Sequence, residues 1–268
     1  MARAAVRELH APVTWELVDP RAPGDRFSGR SVIVTGAGGL IGSALVHAYV
    51  AQGAFVHAVD IDVDALGRLG DALARHDARG STRVRAHTVD LQDPEAITSL
   101  AASIETVDIL VSNVGFNDFT APVADLTAES WRHVLDVNLV GPALLTGQLV
   151  PQLSSGAGGA VVFVTSLLAA APSRWVHYGA AKAGLAKLVV DLAYQLAPAG
   201  VRVNAVAPGA VRNREDSGDR RAVAHSALGG GGVPVEAVVH AVEFLSDSLV
   251  SPMTTGQQLF VDAGFRGK

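Results

Sequence analysis

The sequence predicts a doubly wound α/β fold: a Rossmann-like parallel sheet of about seven strands with helices on both faces, in a single domain. Three observations predict it. Short apolar runs rich in Val and Ile recur along the chain, as expected of strands buried on both faces. Helical patterns of ten or more residues separate them. A glycine-rich loop, Gly36-Ala37-Gly38-Gly39-Leu40-Ile41-Gly42, joins the first clear strand to the first helix. The 268 residues, 49% hydrophobic and 18% charged, suffice for one large domain of this kind.

Residues 1–27 stand apart as an N-terminal arm. Pro12, Pro20 and Pro23 interrupt it, Pro23-Gly24-Asp25 has turn chemistry, and Val13 to Val18 could form a short strand. The domain is expected over 28–268. Ser31 to Thr35 reads as its first buried strand and Ser43 to Gln52 as the helix after the glycine loop. Glycines at such a junction let backbone N–H groups approach a pyrophosphate at the positive end of the helix, so the loop reads as a dinucleotide site. Ala54 to Val59 is the next strand, with Asp60 at its end. Its distance from the loop, about 20 residues, is that of an acid binding the adenosine ribose hydroxyls. A carboxylate there repels a 2′-phosphate, and neither the glycine loop nor the residues just after Asp60 include Arg or Lys. NAD is therefore expected as cofactor over NADP.

The alternation continues with a helix from about Asp64 to Arg75 and a strand from Arg83 to Val89, closed by Asp90-Leu91. A helix from Pro94 precedes the strand Val107 to Val111, which ends in Ser112-Asn113-Val114-Gly115. This order implies right-handed crossovers, with ligands beyond the carboxyl ends of the strands. A long helical segment from Ala128 to Leu153 contains Asn138, which either meets a neighbouring backbone or serves a site, since a buried Asn is costly without partners. Gly159 to Thr165 is the fifth strand, with Ser166 at its end.

The stretch from Trp175 reads as a helix with Tyr178 and Lys182 four residues apart, on one face. A free phenol has a pKa of about 10. A nearby cation favours the phenolate, and a tuned Tyr can exchange a proton with an alcohol or carbonyl. Tyr and Lys at this spacing occur by chance on many helices; the pair gains weight from what precedes it.

The composition excludes several functions. Cysteine is absent, which removes disulfides, thiolate chemistry and Cys-based zinc sites. The nine His residues show no ligand pattern such as His-Glu-x-x-His, so no metal is expected. The net charge of −5, without a basic stripe, argues against nucleic acid. No apolar run is expected to be long and charge-free enough to span a bilayer. Arg3, Arg7 and Glu8 interrupt the first residues where a signal peptide would be apolar, and a cytoplasmic location is expected.

Taken in order, the motifs are Thr35-Gly36-Ala37-Gly38-Gly39-Leu40-Ile41-Gly42, Asp60, Asp90-Leu91, Asn113-Val114-Gly115, Asn138, Ser166, Tyr178 to Lys182, Val203 to Gly209 and Thr255 to Gly264. From about Phe27 to Phe265 the chain thus resembles the single-domain branch of the short-chain dehydrogenase/reductase (SDR) family. The resemblance implies NAD(H)-dependent interconversion of a secondary alcohol and a ketone. Tyr178 would be the general acid/base. Lys182 would lower its pKa and bind the nicotinamide ribose. Ser166 would hydrogen-bond the substrate oxygen, and Asn138 would hold a water linking Lys182 to solvent. The implied cofactor shell is Gly36, Gly39, Leu40, Ile41, Gly42, Asp60, Ile61, Asp90, Leu91, Asn113, Val114, Gly115, Pro208, Gly209 and Val211, with Tyr178 and Lys182.

On the substrate side the expected contacts are Phe116, Leu168, Trp175 and His177, with Asn117, Leu167, Ser173 and Arg174 as further walls. Trp175 and Leu168 suggest an apolar or ring-shaped small molecule. His177 is either a second polar contact or surface. A short charged lid near 213–232, with Gly229 to Gly232 as hinge, either closes over the substrate or stays a solvated face. The helices at 128–153 and 178–197 and the segment Leu259 to Phe265 resemble family contacts that build a homotetramer or homodimer.

Three departures from the family pattern stand out. Leu40 occupies the place of the second glycine, and Gly36, Gly39 and Gly42 instead suit the larger epimerase and dehydratase branch. An isomerase or lyase using bound NAD transiently is therefore one alternative; a non-catalytic dinucleotide-binding scaffold is another. The segment from Ser166 to Tyr178 is one residue shorter than usual, so strict counting selects Thr165, but the phrase Val164-Thr165-Ser166 matches best with Ser second. Asn213 stands near the place of a Thr that binds the carboxamide.

Overall fold

In a computed structural model the structure describes residues 25–76, 81–117, 122–155, 158–212, 227–228 and 232–265. Most of the arm and of the lid near 213–232, Asn213 included, lie outside the described residues.

Apolar runs become strands and the segments between them helices: β1 (Ser31–Thr35), α1 (Leu40–Ala51), β2 (Phe55–Asp60), α2 (Val63–His76), β3 (Val84–Thr88), α3 (Pro94–Ala102), β4 (Ile109–Ser112), α4 (Ala128–Leu135), a π-helical turn (Asp136–Val140), α5 (Gly141–Leu153), β5 (Ala160–Val164), α6 (Val176–Leu196) and β6 (Arg202–Pro208). Two short strands, β7 (Val211–Arg212) and β8 (Val233–Pro234), pair with each other; α7 (Val235–Ser246) and β9 (Gln258–Val261) complete the order. Local chemistry sets several boundaries. The Asp93 carboxylate accepts from the Glu95 and Ala96 N–H groups ahead of Pro94, and Thr127 and Ser130 form a capping box at α4.

The main sheet has seven parallel strands in the order β3-β2-β1-β4-β5-β6-β9. Residues of α1, α2 and α7 form one core with one face of the sheet, those of α3, α5 and α6 a second core with the other. The strand order reverses between β1 and β4, so a crevice opens at their carboxyl ends, where ligands of this fold class bind.

Two elements differ from expectation. Helix α1 starts at Leu40 rather than Ser43, with Gly39 as its N-cap, which places Gly42 inside the first turn. The helix expected over 128–153 is continuous in space but opens into a π turn around Asn138. This helical run is also long and apolar enough to cross a membrane, contrary to expectation. Its Leu145, Leu149 and Leu153 are buried in the second core, as in the core helix of a globular domain.

Candidate active site

A cleft of about 1240 Å³ runs along the carboxyl ends of the strands. Its floor is tied together at the switch point. The Thr35 hydroxyl accepts from the Asn113 and Val114 N–H groups at 3.0 and 3.1 Å. The Asn113 amide donates to the carbonyls of Thr35 and Gly36 at 3.0 and 3.2 Å. Gly36 has φ +63°, and a Cβ there would lie 3.0 Å from the Asn113 amide nitrogen and 3.1 Å from Val114 Cα. A side chain at Gly42 would meet the Gly36 carbonyl oxygen at 1.9 Å. Gly42 therefore serves close packing of helix on loop and does not line the cleft.

Gly39 offers no side-chain cap to α1. The first-turn N–H groups of a helix have no intrahelical acceptor. They present a partial positive charge to the cleft that Leu40 and Ile41 line. This end fits a pyrophosphate. Next to it, Asp60 accepts from the Gly38 N–H at 2.8 Å through one oxygen and from the Asp62 N–H at 3.0 Å through the other. Ile61 and Asp90 line the same end, whereas Leu91 is buried in the second core and away from the cleft. Asn113, Val114, Gly115, Pro208, Gly209 and Val211 line the other end.

At that end Tyr178 and Lys182 face the cleft from α6. Lys182 is only 2% exposed, and its ammonium donates to the carbonyls of Val114 and Val164 at 3.3 and 3.1 Å. It lies 5.8 Å from the centre of the Tyr178 ring. Burial pulls the lysine pKa down from 10.5 to about 8. Burial also raises the Tyr178 phenol above its ordinary value, and a hydrogen bond with Ser166 opposes that rise. Desolvation of the phenol thus sets the direction of its shift, with Ser166 rather than Lys182 opposing it.

Ser166 meets Tyr178 and also accepts from the Leu168 N–H at 3.1 Å. The Thr165 hydroxyl instead donates to the Val206 carbonyl at 3.1 Å. Asn138 is fully buried. Its amide donates to the carbonyls of Phe116 and Val134, both at 2.8 Å, and its oxygen accepts from the Phe116 N–H at 3.2 Å. It reaches the site from beneath: a Cβ on Gly115 would sit 3.4 Å from the Lys182 nitrogen and 3.5 Å from the Asn138 oxygen.

Asn117, Leu167, Leu168 and Trp175 line the substrate end; Phe116 also lines the cleft but lays its ring against His133, and Ser173, Arg174 and His177 do not line it. His177 is neither a cleft contact nor surface. It is buried, with its ring edge-to-face against Trp131 at 5.9 Å. Several lining residues carried no local signal. Gln92 comes together with His133 of α4 and Val137 of the π turn only in the folded chain, where the turn after β3 meets α4. Arg68 reaches the adenosine end from α2, 3.7 Å from Asp62. Asp262, Ala263 and Phe265 form a turn beside Gly209, in which Ala263 has φ +53°.

Fold and site together define a dinucleotide-binding α/β protein with a Tyr–Lys–Ser cluster at one end of its cleft. Residues 30–221 match the family model of the short chain dehydrogenases, and the chain belongs to the short-chain dehydrogenase/reductase family. It is a family of oxidoreductases that act on small molecules with a nicotinamide dinucleotide. The chain is 33% identical over 252 residues to cis-4-hydroxycyclohexanecarboxylate dehydrogenase of Sinomonas cyclohexanicum, covering 90% of this chain and 98% of that one. It is 34% identical over 254 residues to D-xylose 1-dehydrogenase of Caulobacter vibrioides, covering 90% and 97%. Its fold is similar to that of carveol dehydrogenase from Mycobacterium avium, solved in complex with NAD. That match has a TM-score of 0.81 and 26% identity, and covers 91% of this chain and all of that one.

Proposed function

We propose that the protein interconverts a secondary alcohol and a ketone with NAD(H), Tyr178 acting as general acid/base. The observation that carries this reading is the hydrogen bond between Tyr178 and Ser166 in a cleft whose wall holds the buried Lys182. Ser166 orients the substrate oxygen and eases removal of the phenolic proton. Lys182 supplies positive charge where alkoxide character develops. Asn138 holds the Phe116 backbone and the water that connects Lys182 to solvent. A nicotinamide dinucleotide supplies or accepts the hydride. Preference for NAD follows from Asp60, whose carboxylate disfavours a 2′-phosphate; Arg68, the cation at that end, is paired with Asp62. Leu168 and Trp175 favour an apolar or ring-shaped substrate, and the ring is in line with the relative named for cis-4-hydroxycyclohexanecarboxylate.

We further propose a homotetramer or homodimer, supported by exposed Val140, Leu144, Val190 and Tyr194 on the helices at 136–153 and 176–196. A monomer by light scattering at micromolar concentration would refute it. The cofactor reading is tested by titration with NADH and NADPH, followed by nicotinamide fluorescence. Tighter NADPH binding overturns the role of Asp60. Binding of neither overturns the dinucleotide reading. If NADH binds, a screen of cyclic secondary alcohols and ketones tests the reaction.

A further inference from the structure

We propose that His133 reads the adenine base of the bound dinucleotide, its Nε2 accepting a hydrogen bond from the exocyclic amine. This rests on the dinucleotide reading and adds a residue that selects the base. His133 and Val137 lie four residues apart, share one helical face and both line the cleft. That face looks toward the ends of β2 and β3, where Asp60, Ile61, Asp90 and Gln92 line the same end. This half of the crevice, on the β2–β3 side of the switch point, takes the adenosine.

The hydrogen bonds assign the imidazole tautomer. The Asp90 carboxylate accepts the Gln92 backbone N–H at 2.8 Å, and the Gln92 side-chain nitrogen approaches the same oxygen at 3.4 Å. A carboxylate can only accept, so the amide nitrogen of Gln92 faces it. The amide oxygen of Gln92 is then left for His133 Nδ1, 2.7 Å away, and an oxygen there requires Nδ1 to carry the hydrogen. In the neutral ring Nε2 is therefore a bare acceptor. Phe116 packs edge-to-face on the imidazole at 4.6 Å and fixes its plane.

Adenine presents an amine donor at C6, where hypoxanthine presents an oxo acceptor. Against Nε2 the oxo group sets lone pair against lone pair. A site built to hydrogen-bond a substrate N–H rejects an analogue that lacks it. Guanine also carries an oxo group at C6 and falls under the same rejection.

The test is fluorescence titration of the full chain with NADH and with reduced nicotinamide hypoxanthine dinucleotide, which differ at C6 and in the hydrogen that hypoxanthine carries on N1; the comparison with His133→Leu isolates the contact at C6. Wild type is expected to bind NADH at least tenfold more tightly. His133→Leu keeps the bulk and removes the acceptor; it is expected to bring the ratio within about threefold, by weakening NADH. Gln92→Ala retains the imidazole but releases its tautomer, and is expected to lower the ratio at least threefold. That second variant, with the wild-type ratio, keeps the proposal testable if His133→Leu does not fold. Equal binding of both dinucleotides by wild type, or full discrimination retained in His133→Leu, would overturn the role of His133 while leaving the dinucleotide reading intact. Failure to bind either dinucleotide would overturn the dinucleotide reading and this inference with it.

Discussion

Lys182 sits almost fully buried, with its ammonium held by two carbonyls, and its pKa is drawn from 10.5 to about 8. Between those values the unfolded chain holds a proton that the folded chain releases. Stability of the wild type therefore rises with pH through this window, and below about 8 the full cost of the buried charge is present. The displacement corresponds to on the order of 3 kcal/mol. Lys182→Met keeps the length of the side chain and removes the charge. Urea unfolding of both proteins at pH 7 and pH 10.5, without dinucleotide, isolates the effect: every other titrating group contributes alike to both, and the packing difference is the same at both pH values. The wild type is expected to gain roughly 2–3 kcal/mol on the variant as pH rises. Met at 182 is also expected to be inactive, so the buried charge costs stability in exchange for function. A stability difference that stays constant within about 0.5 kcal/mol from pH 7 to 10.5 would show that Lys182 binds its proton equally in both states. The account of its burial would then be wrong.

Three further outcomes are expected. Tyr178→Phe removes the proton-transfer group and keeps the packing; turnover should drop at least about a hundredfold with dinucleotide affinity little changed, and turnover within threefold of wild type would exclude Tyr178 as the acid/base. Gly42→Ala pushes a methyl to 1.9 Å from the Gly36 carbonyl, so the loop must shift; a loss of roughly 1–3 kcal/mol in urea unfolding, with weakened NADH binding, is expected, and a wild-type unfolding curve would show that the loop yields freely. Burial, with help from His87 and Arg85, lowers the His57 pKa to about 4. The folded state thus refuses a proton that the unfolded chain takes near 6.5, and stability is lost as pH falls from there toward 4. His57→Leu should flatten that acid limb; an unchanged limb would place the acid sensitivity elsewhere.

Much of the fold was legible because a parallel strand buried on both faces is an apolar run that ends abruptly. Asp60, Asn113 and Ser166 stand just where such runs stop, so their position at the crevice followed from sequence order alone; Asp90 follows β3, a largely exposed strand, and its place came from the alternation of strands and helices. The π turn was not legible. Helical periodicity over 128–153 is continuous, and the wider turn at Asn138 satisfies that side chain against Phe116, 22 residues earlier in the chain. The upward shift of Tyr178 and the downward shift of Lys182 were not legible for a related reason. A spacing of four residues reveals that two groups share a face, but desolvation sums over the whole surrounding core, and here it is the largest influence on both groups. His177 shows the same limit: it adjoins Tyr178 in sequence yet turns to Trp131 and leaves the cleft. Gln92 and His133 were silent because each is an ordinary polar residue until the helix at 128–135 sets them together.

The glycine loop shows why a departure from a pattern has to be judged by what each position touches. Counted against the family, Leu40 takes the place of a glycine. In the fold it is the first residue of a helix, with its side chain 43% exposed at the edge of the cleft and its N–H still free to meet a phosphate. Nothing about that position demands a missing Cβ. The positions that do demand one are Gly36, which has a left-handed backbone against Asn113 and Val114, Gly38, where a Cβ would lie 2.5 Å from the Ala65 Cβ, and Gly42, which packs on the Gly36 carbonyl. Gly39 contributes differently. As an N-cap without a side-chain acceptor, it leaves the helix's first N–H groups to the ligand. The spacing of Gly36, Gly39 and Gly42 is thus explained by local packing and capping, and by itself it does not call for a different reaction.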